Sequence, residues 1–156
     1  MANPNTIVLK GEIGEHYDEG IVTVSAIKPG MLIKRTSAAG VGTVGNVAVH
    51  STAGGAGEVC IAIENSIYGK TINDSYAVGE RCRFVMPETG DWCYVAVAVG
   101  AAAIAYNDPL SSAGDGTFRK EVSTGKVFFL AEEAKDNSAG GSIVWVKARR
   151  VAATTA

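Results

Sequence analysis

Polar and apolar residues alternate along most of this chain. In GIVTVS (residues 20–25) Val22 and Val24 oppose Ile21 and Thr23, and in NVAVHS (46–51) Val47 and Val49 share a face. RCRFVMP (81–87) sets Arg81, Arg83 and Val85 against Cys82, Phe84 and Met86. A period of two is the period of a strand. MLIKR (31–35), EVCIAIE (58–64), DWCYVAVAV (91–99), GTFRKEV (116–122), KVFFLA (126–131) and SIVWVKARRV (142–151) continue the series. The punctuation between them is turn chemistry. Lys28-Pro29-Gly30 favours a type II turn, and Gly114-Asp115-Gly116 supplies the positive φ angles of a tight hairpin. GAAAIAY (100–106) and LAEEAKD (130–136) could each form a helical turn, but neither carries an apolar stripe over three turns. Short strands separated by Gly-rich turns predict an all-β fold: a single small β-barrel or sandwich-like domain over residues 7–151. The small, polar ends, 1–6 and 152–156, are expected to be a flexible N-terminal arm and a C-terminal tail.

Several of these strands are apolar on both faces. In WCYVAVAV, Cys93, Val95, Val97 and Val99 alternate with Trp92, Tyr94, Ala96 and Ala98; KVFFLA and SIVWV behave alike. A small barrel buries one face of each strand, so the other must be covered by a helix, a loop or another subunit. With few helices predicted, a subunit contact is the favoured cover.

Composition narrows the functional classes. The 156 residues fit one domain, and 47% hydrophobic content is enough for a core. The net charge of −2 leaves no basic stripe for nucleic acid, and Lys147, Arg149 and Arg150 read as a solvated strand end. MANPNTIVLK lacks the basic and apolar regions of a secretory leader, and the longest apolar run, Cys93 to Tyr106, is too short to span a bilayer. A soluble chain made in a cytoplasm, without a membrane partner, is expected. Cys60, Cys82 and Cys93 form no C-x-x-C pair and read as buried free thiols.

Candidate chemistry is thin. Gly40-x-Gly42-x-x-Gly45 matches the dinucleotide fingerprint, but nineteen glycines make such a match cheap. A pyrophosphate needs a helix N-terminus after the glycines, and NVAVHS reads as strand. His16 lies beside Glu12, Glu15, Asp18 and Glu19, which could gather a divalent cation; without EF-hand spacing the stretch reads as a solvated acidic loop. His50 and His16 are too few for a convincing hydrolytic centre, and no G-x-S-x-G elbow marks a nucleophile. No catalytic residue, metal site or cofactor is assigned.

The order of the segments resembles the capsid decoration (cement, head-stabilising) proteins of tailed bacteriophages. The resemblance begins at AIKPGMLIKRTSAAG and continues through VAVHSTAGGAGEVCIAIENSIYGKTINDSYAVGERCRFVMPETGDW. Its most telling segment is AYNDPLSSAGDGTFRKE, similar to the family's Gly-Asp-x-Leu-x-Ser-x-Gly-Asp-Gly-x-Leu-Arg-Lys. It covers roughly Ile27 to Val151. Asn107 stands where the family often has Gly, a substitution the left-handed region tolerates. CYVAVAVGAAAIAY replaces the usual leucine-rich turn. The resemblance implies a barrel-like body without an active site, bound as a trimer to the outer surface of the expanded icosahedral shell. The implied partners are the major capsid protein and further copies of the chain, and the implied location is the virion. For shell contact the expected residues are Ala2, Asn3, Pro4, Asn5 and Thr6, an arm able to add a strand to a sheet edge. For subunit contact they are Trp92, Tyr94, Phe128 and Trp145, because aromatics are enriched at interface cores. Two rivals remain: a carbohydrate- or host-binding module of a phage virion, and a small hydrolase built on the stretch around His16.

Overall fold

The computed structural model describes residues 4–10, 17–37 and 43–155. The fold is all-β. The described residues form eleven strands: β1 (Val8–Lys10), β2 (Tyr17–Val22), β3 (Leu32–Ser37), β4 (Gly45–Val49), β5 (Cys60–Ala62), β6 (Arg81–Val85), β7 (Trp92–Val97), β8 (Pro109–Ser112), β9 (Phe118–Lys120), β10 (Lys126–Ala131) and β11 (Val144–Thr155). Among the described residues the helical content is one 3-10 turn, Ser66–Tyr68. Neither 100–106 nor 130–136 is helical; Ile104 instead forms a bridge with Lys135.

The expected single barrel is two. The first closes in the order β2-β4-β3-β5-β6. The second follows β7-β11-β10-β8-β9 and closes through a parallel β7–β9 pairing, with β1 added outside β7. One hydrophobic cluster runs through both, from Val22, Leu32, Ile61 and Phe84 to Val95, Leu110, Phe129 and Val146. Alternation along a strand shows which face is buried but not where a sheet closes on itself.

The junction is a turn. Gly30 donates its amide to Ala62 O at 2.7 Å in the first barrel and accepts from Ala96 N at 2.8 Å in the second. Trp145 Nε1 donates to Pro29 O at 2.9 Å, and Lys28 Nζ stands 5.2 Å from the Trp145 ring centroid. Gly30 has φ +88°, and a Cβ there would lie 2.8 Å from both Cδ1 and Nε1 of Trp145. Only glycine allows the turn this approach. Thus the outer face of β7 and β11 at Ala96 and Trp145 is covered by the other barrel of the same chain.

The second contact is polar. The loop after β4 lies on the β8–β9 side of the second barrel, where Gly54 N donates to Ser112 O at 2.8 Å and Lys126 N to Gly54 O at 2.9 Å. His50 Nδ1 and Ser112 Oγ are 2.9 Å apart, and the His50 and Phe128 rings meet edge to face at 6.4 Å. Beside them Ser111 Oγ donates to Glu121 Oε2 at 2.6 Å, and the other oxygen of Glu121 accepts the amides of Val122 and Ser123 at 3.0 and 2.8 Å. His50, Ser111, Ser112 and Glu121 are all buried. Their mutual hydrogen bonds offset the cost of burying them.

β1 and β8 carry no strand signal in the sequence. β1 is three residues long, and β8 holds two fully buried serines whose partners lie outside the strand, Glu121 just past β9 and His50 far back in the chain. Residues 17–19, expected in an acidic loop, pair with β6 as the start of β2. Residues 152–155, expected in a loose tail, extend β11, with Thr154 and Thr155 opposite Val127 and Lys126.

Two predictions follow from the junctions. Gly30→Ala should lower the unfolding free energy by about 2–5 kcal/mol, combining left-handed strain with displacement of Trp145. Gly100→Ala, also at positive φ but with open space around its Cβ position, should cost about 1–2 kcal/mol. Equal losses in urea unfolding would remove the Trp145 approach as the cause. Glu121 titrates at about 2, held down chiefly by the Ser111 hydroxyl and then by the Ser123 and Val122 bonds, against the opposing effect of burial. A depressed carboxyl contributes stability above its unfolded value, about 4.3, that is lost as pH falls towards its folded value. Wild type should therefore lose stability more steeply than Glu121→Gln between about pH 5 and pH 2. Parallel curves in urea unfolding across that window would contradict this.

Candidate functional site

The N-terminal arm joins the body between the barrels. Thr6 Oγ1 donates to one oxygen of Glu64, Ile7 N donates to the other at 3.1 Å, and Ile7 O accepts from Tyr94 N at 2.7 Å. Ile7 itself is fully buried. Thr6 therefore belongs to the anchored body. Pro4 is half-buried and Asn5 exposed, while Ala2 and Asn3 lie outside the described residues.

The four aromatics assigned to subunit contact divide in two. Phe128 and Trp145 are 1% and 3% exposed, with their rings packed against His50 and the Pro29–Gly30 turn. Cover supplied from within the chain leaves them almost no surface for a partner. Trp92 and Tyr94 are half-buried on the outward side of β7, beyond the reach of the junction turn. Their neighbours across β11 are Arg149 and Lys147, and Lys10 of β1 lies opposite Trp92. Lys147 Nζ is 4.2 Å and Lys10 Nζ 5.9 Å from the Trp92 ring centroid. The sequence held part of this signal: Trp145, Lys147 and Arg149 alternate along one face of β11. The register that sets them beside Trp92 was not visible. Arg150 faces the other way, donates to Phe128 O at 3.0 Å and is half-buried, which lowers its pKa.

Two grooves open on the first barrel. One, of about 520 Å³, is lined by Asp18, Glu19, Arg35, Glu58, Asn46 and Phe84 among others. Arg35 Nε donates to Glu58 Oε2 at 2.8 Å, and Arg81 meets Glu19 at 3.4 Å, so two of its three carboxylates are already paired. Phe84 is buried and offers no exposed ring for stacking. The other, of about 330 Å³, lies between Tyr68, Lys70, Tyr76, Glu80 and Arg81. Lys70 Nζ pairs with Glu80 at 2.8 Å, and Tyr68 is 62% exposed.

The remaining candidates resolve into structural roles. His50 bonds Ser112 through Nδ1, while its Nε2 is 3.4 Å from Ala56 O; no carboxylate orients the ring, and the pair is buried. Burial pushes the Cys93 thiol up to about 12 and raises Cys60 and Cys82 as well, so none is a thiolate near neutrality. Of the dinucleotide-like glycines, Gly40 and Gly42 lie outside the described residues, and Gly45 opens β4 in parallel pairing with β2. His16, Glu12 and Glu15 also lie outside them. Among the described residues no group of three His, Cys, Asp or Glu side chains is placed to hold a metal ion.

No family model and no curated protein matches the sequence. Among solved structures the chain is similar to the N base of the head fibre gp8.5 of bacteriophage phi29, with a TM-score of 0.51 and 14% identity. The match covers 87% of this chain and 97% of that one. At that identity the likeness is one of fold, and it takes in nearly the whole of the head-fibre base.

Proposed function

We propose that this chain is a structural protein of a phage virion that binds the outer surface of the expanded head and stabilises it, as a homotrimer, without catalysing a reaction. The observation that carries this reading is the fold shared with almost the whole length of a phage head-fibre base. The segment similar to decoration proteins adds to it. Asn107, at the family's Gly position, adopts φ 66°, and the residues after it build β8, a hairpin and β9 of the second barrel. The buried His50, Ser111, Ser112 and Glu121 are engaged in holding loops together. Mechanistically, each bound copy adds contact free energy to neighbouring shell subunits, and three linked copies multiply weak contacts by avidity.

A sugar-binding role has one observation in its favour, the exposed Tyr68 ring beside the Lys70–Glu80 pair, since exposed aromatics flanked by polar groups suit pyranose stacking.

The test is co-sedimentation of the folded chain with expanded heads assembled without it. Saturation at a multiple of three copies per facet, with heads then surviving higher temperature, is the expected result. Failure to bind any expanded head, together with glycan binding abolished by Tyr68→Ala, would replace this reading with the sugar-binding one.

A further inference from the structure

Trp92 has two ammonium groups near its ring, and neither is in an ion pair among the described residues. Lys147 and Lys10 approach the ring at 4.2 and 5.9 Å. The two adjacent acids bond other groups of β11 than the Lys147 ammonium. Glu132 holds Arg149 at 2.7 Å, and Glu133 accepts the backbone amide of Lys147 at 2.9 Å. Tyr94, also half-buried, follows Trp92 on the same side of β7. β1 forms the rim of this face, and among the described residues its strand pairing is with β7 alone.

Lysine stems commonly lie along aromatic surface. That explains the methylenes; it does not explain two like charges converging on one ring in a chain of net charge −2. Like charges so placed repel, and an added carboxylate relieves the repulsion while the ring supplies apolar contact. We propose that the Trp92–Tyr94 face is the shell-binding surface and that it takes an acidic segment of the major capsid protein. The inference rests on the decoration reading above. A second copy of the chain is a poorer occupant, because in its acid-lined groove Glu58 and Glu19 are already paired with Arg35 and Arg81. Of that groove's acids only Asp18 is in no ion pair among the described residues, so a segment of another protein with several unpaired carboxylates fits the face better.

The experiment measures binding of the full chain to expanded heads at low and high salt. It compares wild type, Lys10→Gln/Lys147→Gln, Lys10→Glu/Lys147→Glu, and Arg119→Glu as an exposed control on β9. Urea unfolding confirms that each variant is folded. Wild-type affinity should fall as salt rises. The charge reversal should weaken binding by about tenfold or more, the neutral pair by less, and Arg119→Glu by no more than about twofold. If the reversed variant binds as wild type with the same salt dependence, the face is not the shell contact, while the decoration reading stands. If the reversal instead breaks a wild-type oligomer into monomers in sedimentation equilibrium without changing head binding per copy, the occupant is a second copy and the proposal is overturned. If the folded wild type binds no heads at either salt, the decoration reading itself fails.

Discussion

The fold depends on how one strand divides its free edge. β7 pairs with β11 along its length, which leaves a row of amides on the other side that must find acceptors. Three different segments supply them in succession. Tyr94 N donates to Ile7 O at 2.7 Å, Ala96 N to Gly30 O at 2.8 Å, and Ala98 N to Phe118 O at 3.0 Å. The first acceptor ties in the N-terminal strand, the second docks the first barrel, and the third closes the second barrel. A turn without a side chain at position 30 is the condition for the middle bond, because the strand must be approached across the face where Trp145 lies. The small side chain of Ala96 leaves room for the same approach. Two barrels thereby share a core instead of standing as separate beads.

This arrangement accounts for the doubly apolar strands. The alternation in DWCYVAVAV and KVFFLA was legible, as was the conclusion that both faces need cover. The sequence favoured another subunit as that cover, yet most of it proves to be intramolecular: the Pro29–Gly30 turn over Ala96 and Trp145, and His50 over Phe128. Nine of the strands lie within or beside stretches marked by alternation. The two without a signal fail for different reasons. β1 is too short to show a period, and β8 uses buried serines, which look like loop composition until their partners, Glu121 and His50, are known. Barrel closure was illegible because it depends on pairings such as Val97 with Phe118, which no local pattern encodes.

The site was legible in outline. Trp92 and Tyr94 were found among the aromatics, but nothing in the sequence separated them from Phe128 and Trp145, because burial on the outer face is decided by which barrel lies above it. The lysines around Trp92 come from strands at opposite ends of the chain, and β-register alone brings them together. The arm was read as six residues, and Glu64 shortens it, since both oxygens of that carboxylate are engaged by Thr6 and Ile7.

The route of β1 has a consequence for synthesis. Val8 and Lys10 pair with Cys93 and Trp92, so the first strand of the chain belongs to the barrel completed last. The strands β2 to β6 can close as a unit while the ribosome is still translating the second half, since all the pairings that close this barrel fall within residues 17–85. β1 must stay unpaired through that interval and dock only after β7 has emerged and found β11. Emergence and ordering thus run in opposite directions for this segment. The rim strand and the arm anchored by Glu64 take their places only once the body is finished, so a chain truncated before β11 would have no completed surface to offer.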